Sequence, residues 1–263
     1  MQHSTGYIIG FSALVCVVCA LFVSGSAVTL KDLQERNIRV DKQRNVLAVA
    51  GLTRPGQELS ASEVQKIFDE SIRPKVIDLE TGEVDPSVDP REFDQRAAAK
   101  DPVLSRRAPE NPAKVIRLPD DALVYEVVDE HGEVEAIILP IEGMGLWSVL
   151  YGYIALAPDL RTIKGITYYE QGETAGLGGE VENPRWKQLW VGRKAFDERG
   201  NVKIRVAKGP AGPPSEDPYR VDGLSGATLT SRGVTNMLHF WLGEDGFGPY
   251  LARLRESGFA EGA

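Results

Sequence analysis

The sequence predicts an α+β fold, in which one apolar helix precedes a domain of strands and helices. Three observations lead to this fold class. Residues 7–30 contain no charged side chain, strand-like segments cluster in the middle of the chain, and an amphipathic helix follows them. The strands do not alternate regularly with helices, so a doubly wound parallel sheet is disfavoured.

The uncharged segment 7–30 predicts a transmembrane helix after a short tail, residues 1–6. About 20 helical residues cross roughly 30 Å of hydrocarbon. A cleaved signal peptide is the alternative, because Gly25 to Ala27 are small. The preceding residues lack Lys and Arg, however, and the apolar run is long for a signal core. We therefore favour a retained anchor, in which Cys16 and Cys19 serve as small hydrophobic residues.

The anchor is expected to continue into a helical stalk, residues 31–55. Leu33, Val40 and Leu47 recur at seven-residue intervals, and Gly51 and Pro55 end the pattern. The rest of the chain, 56–263, is predicted to be one domain. Its first helix has a capping box formed by Ser60 and Glu63, followed by an apolar stripe from Val64 to Ile72.

Proline and aspartate punctuate residues 73–120 and predict surface loops with short helices, one of them in REFDQRAAAK. Alternating or β-branched runs then predict strands, the first two paired in a hairpin around His131 and Gly132. The predicted strands cover 122–128, 133–141, 162–169 and 202–206. A final helix over 231–242 is predicted by the apolar stripe Val234, Met237, Leu238 and Trp241.

Composition argues against several functions. The net charge of −8 disfavours nucleic-acid binding, which needs a basic surface. His3, His131 and His239 are far apart in sequence and do not have the spacing of a metal site. A single uncharged span does not form an ion path by itself, so the chain would serve a channel or pump only as one component of a larger assembly.

The segment DGLSGATLTS, residues 222–231, is the first candidate site. It precedes the final helix, and a helix start offers unpaired amides to an anion. Gly226 permits close approach of a ligand, and Ala227 adds little bulk beside Thr228. Two interpretations remain open: a hydroxyl here carries a phosphate-bearing group, or Ser225, Thr228 or Thr230 simply caps the helix.

The loop YEQGETAGLGGEVENPRW, residues 169–186, is the second candidate. Its four glycines match neither the dinucleotide fingerprint nor a P-loop. They would let a flat ring lie against the backbone, with Leu177 as an apolar face and Thr174 as a hydrogen-bond donor. Trp147 adds a stacking surface. The alternative is an ordinary loop beside a core strand.

Together these segments resemble the NqrC family, the C subunits of the bacterial sodium-translocating NADH:quinone reductase. The resemblance spans nearly the whole chain and includes NIRVDKQRNVLAVAGL, FDQRAAAKDP, the IEGMGLWSVLYGYIAL strand, ETAGLGGE and DGLSGATLTS. It implies that FMN is joined by a phosphoester bond to the last threonine of Ser-Gly-Ala-Thr, which is Thr228 and not Thr230. The chain departs from the pattern at Ala175, where we expect proline.

The resemblance also implies a flavin site, in which Glu173 and Thr174 are the candidates for hydrogen bonds with the flavin; no metal is predicted, as the histidine spacing indicates. The implied flavin-binding residues are Ser225, Gly226, Ala227, Glu173, Thr174, Gly176, Leu177, Gly178 and Trp147. The chain would be a single-pass protein of the bacterial inner membrane, with residues 56–263 forming a periplasmic, mixed α/β-type FMN-binding domain. A flavin transferase would supply FMN from FAD.

The A, B, D, E and F subunits of the reductase would be its partners. The flavin would relay electrons from a membrane iron–sulfur centre to the flavin of the B subunit, coupled to sodium export, while partner subunits hold the NADH and quinone sites. Two alternatives remain. The first is a flavin subunit of the Rnf type, because the attachment motif is shared with the G subunit of the Rnf electron-transport complex. The second is an unmodified, membrane-tethered structural or binding module, which would use the glycines only for turns.

Overall fold

A computed structural model describes residues 4–54, 56–257 and 259, and the chain divides into two compact units, residues 1–43 and 44–263. Helix α1, Thr5–Ala50, forms nearly all of the first unit and continues into the second. Its segment Thr5–Lys31 is long and apolar enough to span a membrane by length and composition. Of the predicted tail, residues 1–3 lie outside the described part of the chain.

The last turns of α1 belong to the globular unit. Val46, Leu47 and Val49 are buried there, whereas Leu33, in the first unit, is exposed. The helix ends before Gly51, whose φ of 78° is the left-handed conformation typical of a glycine that terminates a helix. The predicted stalk 31–55 therefore begins with exposed residues and ends with residues buried in the globular unit. Its last residue, Pro55, is not among the described residues.

Helix α2, Ala61–Ser71, has the predicted capping box. The Glu63 amide donates to Ser60 Oγ at 3.3 Å, and the Ser60 amide donates to Glu63 Oε2 at 2.8 Å. Two amides of the first turn are thus satisfied by side chains. The apolar stripe of α2 begins with the buried Val64, as the sequence predicts.

A five-stranded antiparallel sheet in the order β1-β4-β5-β6-β7 forms the centre of the globular unit. The described strands of this sheet are β1 (Ile72–Asp78), β4 (Asp121–Val128), β5 (Val134–Met144), β6 (Val149–Leu156) and β7 (Ile163–Glu170). The predicted hairpin is β4 and β5, and the strand predicted over 162–169 is β7. With the helices around it, the sheet confirms the α+β class.

Strand β1 contradicts the prediction that the chain enters surface loops at Arg73. Val76 and Ile77 are buried, and β1 pairs with β4 over its whole length. The sequence of β1, IRPKVID, contains a proline and three charged residues, so it lacks the apolar pattern that predicts a strand. Pro74 is tolerated because β1 is the edge strand of the sheet, where an amide is not needed on the outer side.

A second correction concerns IEGMGLWSVLYGYIAL, which is not one strand. Strand β5 ends at Met144 and β6 begins at Val149, and the Gly145 amide closes the turn by donating to the Ser148 carbonyl at 2.8 Å. The glycine and the polar serine bracket a tight turn within an otherwise apolar run. As a result, Trp147 lies at the tip of a hairpin and is exposed.

The remaining elements are short except for the two C-terminal helices. They are α3 (Gln95–Lys100), β2 (Ser105–Arg107), β3 (Arg117–Pro119), a 3₁₀ helix (Gly178–Glu182), α4 (Pro184–Gln188), β8 (Arg205–Val206), β9 (Arg220–Val221), α5 (Thr228–Trp241) and α6 (Gly248–Ser257). Only the last two residues of the strand predicted over 202–206 form a strand. Helix α5 starts three residues before the predicted 231.

Helix α5 packs on one face of the sheet through the predicted stripe, because Val234, Met237, Leu238 and Trp241 are all buried. The approach is close because glycines face it. A Cβ atom at residue 143 would lie 2.9 Å from Met237 Cβ. Helix α5 therefore rests on the end of β5 that leads into the Trp147 turn.

Candidate functional site

The start of α5 has no side-chain cap. Its N-cap residue is Ala227, so none of the predicted capping residues, Ser225, Thr228 and Thr230, caps the helix. The capping interpretation of this segment is therefore wrong. Without a side-chain acceptor, the first-turn amides of this 14-residue helix remain available to an anion.

The hydroxyl groups of this segment fall into two classes. Thr230 is 1% exposed and donates to Glu173 Oε2 at 2.6 Å, and Ser231 Oγ is buried and accepts the Leu224 amide at 3.1 Å. Thr228 and Ser225 are exposed, and within the described residues the Thr228 hydroxyl has no hydrogen-bond partner. Thr228 is thus accessible for modification, whereas Thr230 is not.

Gly226 connects residues 222–231, the predicted attachment segment, to the glycine-rich loop. Its φ of 71° is left-handed, and a Cβ atom there would lie 2.8 Å from Leu177 Cδ2. The two predicted candidate segments are therefore neighbours. Leu177 is 42% exposed and Trp147 is 68% exposed, so both present apolar surface to solvent.

Glu173 is buried and accepts hydrogen bonds from three consecutive amides. The donors are the amides of Leu146 at 3.1 Å, Trp147 at 2.8 Å and Ser148 at 3.1 Å, all to Oε1. Burial by itself would raise the pKa of Glu173, but the Thr230 hydroxyl and these amides outweigh it and leave the pKa below its ordinary value. The carboxylate is therefore charged near neutral pH.

Through these contacts Glu173 hydrogen-bonds other protein groups, whereas the prediction was a hydrogen bond to the flavin. Both of its oxygens already have protein donors, and its hydrogen bond to a flavin stays a prediction. Gly178, predicted to lie against the ring, is buried. A Cβ atom at residue 178 would lie 2.6 Å from both Glu173 Oε2 and Thr230 Oγ1, so this glycine makes room for the Glu173–Thr230 pair.

The tip of the glycine-rich loop is a β-turn over Thr174 to Leu177. The Leu177 amide donates to the Thr174 carbonyl at 3.1 Å, and Gly176 has a φ of 75°. A left-handed third residue is the mark of a type II turn, whose second position favours proline. That second position is Ala175, which explains why proline is the residue expected there.

We expect Ala175→Pro to stabilise the protein by about 0.4–1 kcal/mol, because proline restricts the unfolded chain while fitting this turn. The Ala175 amide makes no hydrogen bond among the described residues, so its loss is tolerated. Urea unfolding followed by tryptophan fluorescence would measure the change. Gly176→Pro is the matched control and should destabilise the loop, because proline cannot adopt a φ near 75°. An Ala175→Pro variant less stable than the parent would contradict a type II turn.

An open groove of about 500 Å³ lies beside the attachment segment. It is lined by residues 207–210 and 222–226, together with Thr228 and Ser231. Of the predicted site residues, Ser225, Gly226 and Thr228 line it, whereas Trp147, Leu177 and Thr174 do not. Thr228 thus has the groove on one side, while the adjacent Gly226 contacts Leu177 of the glycine-rich loop.

Asp222 shapes the groove, a role that was not predicted from its sequence. Its Oδ1 accepts the Ala211 amide at 2.8 Å, and its carbonyl accepts Trp186 Nε1 at 2.9 Å. Gly223 continues the connection, because its amide donates to the Gly209 carbonyl at 2.9 Å. The exposed Lys208, which no sequence pattern indicates, also lies in the groove wall. In the sequence, the Asp222-Gly223 pair is the feature that could have indicated this structural role.

Comparisons with known proteins agree with this geometry. A family model described as FMN-binding domain matches residues 145–243, which include the Trp147 turn, the glycine-rich loop and the attachment segment. The C subunit of the Na⁺-translocating NADH-quinone reductase of Pseudomonas aeruginosa is 47% identical over 97% of this chain and 98% of its own length. The corresponding C subunit of Yersinia pestis is 46% identical over 95% of this chain and 92% of its own length.

Solved structures show the same fold. The crystal structure of Shewanella oneidensis NqrC has a TM-score of 0.76 and 40% identity, and covers 83% of this chain and 98% of its own. With near-complete coverage by several relatives, the Rnf-type alternative is not supported. The chain therefore belongs to the NqrC family, the C subunits of the Na⁺-translocating NADH-quinone reductase, and is an FMN-binding-domain component of an oxidoreductase complex with one helix suited to anchoring it in a membrane.

Proposed function

We propose that Thr228 carries FMN through a phosphoester bond and that the chain works as an electron carrier within the reductase. The observation that carries the proposal is an exposed hydroxyl that has no hydrogen-bond partner among the described residues, at the start of a 14-residue helix without a side-chain cap. A phosphodiester at this point would be anionic, and the helix start would stabilise its charge.

Attachment would exchange the phosphoanhydride bond of FAD for a phosphoester bond to Thr228. The Thr228 oxygen would bond to the phosphorus of the FMN half of FAD, the bond to the bridging oxygen would break, and AMP would leave with a proton from the hydroxyl. A separate flavin transferase would carry out this step. Access to Thr228 is essential for it, and Ala227 and Gly226 leave the N-terminal side of this residue without bulky side chains in the sequence.

The chain's own residues suit both ends of the cofactor. Ser225, Gly226 and Ala227 would surround the phosphate, with Lys208 of the groove wall as a nearby cation. Leu177 and Trp147 would offer apolar surface to the ring, and the exposed Thr174 would donate a hydrogen bond. When bound, FMN supplies one-electron and two-electron redox chemistry, while the protein positions it.

Within the complex, we propose that this chain accepts electrons from a membrane iron–sulfur centre and passes them to the flavin of the B subunit, coupled to sodium export. The A, D, E and F subunits would complete the assembly. Residues 5–31 would anchor the chain in the bacterial inner membrane, with the globular unit in the periplasm. Family membership and the apolar helix support this arrangement.

Intact mass and peptide mapping of the full chain test the attachment directly. Protein from a host that contains the flavin transferase should gain the mass of one FMN less one water, localised to the peptide with Thr228. Protein from a host without the transferase is the control and should have the unmodified mass. An unmodified mass from both hosts, or a flavin on another residue, would overturn the proposal.

A further inference from the structure

We infer that Glu173 is a positioning residue. With Thr230 as its partner, its carboxylate holds helix α5, which begins at Thr228, at a fixed spacing from the exposed side chains of Trp147 and Leu177. The inference rests on the proposed function, because it concerns where the ring of a flavin on Thr228 comes to lie. It gives Glu173 a role in the protein framework of the site that does not depend on direct contact with the cofactor.

Three segments meet at the Glu173 carboxylate. Oε1 accepts the amides of the Trp147 turn, at 2.8 Å from Trp147, and Oε2 accepts the Thr230 hydroxyl at 2.6 Å. Glu173 itself belongs to the loop that bears Leu177. Thr230 lies in the same helical turn as Thr228, so one side chain ties the attachment point to both exposed apolar residues.

The surrounding residues fit a carboxylate at this point. A Cβ atom at residue 145 would lie 2.7 Å from Glu173 Oε1, and one at residue 178 would lie 2.6 Å from Oε2. Both positions are glycine. The buried charge is offset by the amides and by the positive end of α5, whose first turn contains Thr230. Because both oxygens of the Glu173 carboxylate accept hydrogen bonds from the protein, this side chain can rigidly support neighbouring residues that contact a ligand.

The distinguishing consequence concerns motion of the ring, not attachment. Thr230→Val removes the hydroxyl but leaves Thr228 in place. We expect this variant to carry covalent FMN at the parental stoichiometry, and we expect the amplitude of nanosecond local motion in its flavin fluorescence anisotropy to increase at least twofold. Thr230→Ser keeps a hydroxyl and should restore the parental decay.

The experiment uses the full chain, flavinylated in a host with the transferase and purified in detergent. Thr235→Val is the matched control. It removes a hydroxyl from the same helix, which donates to the Ser231 carbonyl at 3.1 Å and accepts the Val206 amide at 3.0 Å, but has no link to Glu173. Its thermal unfolding midpoint should fall by a few degrees, as for Thr230→Val, with the parental anisotropy decay.

Two results separate this inference from the proposed function. An unmodified parent chain would defeat the proposed function, and the positioning role with it. A fully flavinylated Thr230→Val chain with the parental decay would overturn the positioning role alone. Should Thr230→Val fail to fold, Thr230→Ala gives the same test, because it removes the same hydroxyl without placing a second methyl group in this buried position. Parental ring motion in that variant would overturn the inference equally.

Discussion

Replacing Thr228 with alanine is expected to abolish covalent FMN while leaving the globular unit folded. The hydroxyl is the proposed acceptor, and it makes no hydrogen bond within the described residues. Because Thr228 is exposed, we expect its loss to change the free energy of unfolding by less than about 1 kcal/mol. Intact mass reports the flavin, and urea unfolding followed by tryptophan fluorescence reports the fold.

Two controls make this result specific. Thr230→Ala should retain the flavin, because the buried Thr230 hydroxyl is bonded to Glu173 and is not the proposed acceptor. Thr228→Ser keeps a hydroxyl at the helix start and should retain covalent FMN as well. Loss of folding together with flavin in Thr228→Ala would instead mean that Thr228 is mainly structural. In the assembled complex, Thr228→Ala should reduce NADH-dependent quinone reduction to background.

Gly233→Ala is expected to have the largest effect on stability, lowering the free energy of unfolding by about 1–2 kcal/mol once the gain in helix propensity is subtracted from the cost of overpacking. A Cβ atom at residue 233 would lie 2.4 Å from the Met144 carbonyl oxygen and 3.0 Å from Gly145 Cα. Both contacts are to backbone, so α5 would have to move away from β5, and overpacking of this kind typically costs about 1–3 kcal/mol. Helix propensity alone predicts the opposite sign, because alanine favours a helix over glycine by about 1 kcal/mol.

Urea unfolding of chains prepared without the flavin transferase measures this effect. Arg232→Ala is the matched control: it is the preceding residue, it is exposed, and its replacement should change the free energy of unfolding by no more than about 0.5 kcal/mol. A Gly233→Ala chain as stable as the parent would show that α5 does not need its close approach to the Met144 backbone. Displacement of α5 would also separate Thr228 from the Trp147 turn, so flavinylated Gly233→Ala protein should resemble Thr230→Val in ring motion.

The elements with strong periodicity were predictable from the sequence. Helix α5 and its buried stripe from Val234 to Trp241, the capping box of Ser60 and Glu63, and the β4–β5 hairpin all follow from local patterns. Local patterns work here because each element buries one face, and the spacing of its apolar residues records that face. Strand β1 escaped prediction because its pairing with β4 is non-local and its sequence includes Pro74.

The candidate site shows the same division. The small residues of DGLSGATLTS and the glycines of ETAGLGGE marked both loops in the sequence, and the family resemblance selected Thr228 over Thr230. No local pattern could show that Thr230 is buried against Glu173, which is 57 residues away in the chain. Nor could it show that Trp147 occupies the tip of a hairpin rather than a core strand.

The sequence by itself determined the fold class, the apolar helix and the two loops of the candidate site, and it singled out a threonine as the proposed attachment point. Tertiary structure alone decided which hydroxyl groups are exposed, which carboxylate is buried and at which glycines a side chain would clash with a neighbouring segment. The physical reason is that exposure and hydrogen bonding depend on segments brought together across the sheet. Glu173 illustrates this: its sequence neighbours suggest a loop residue facing a ligand, while its amide and hydroxyl donors come from the Trp147 turn and from α5.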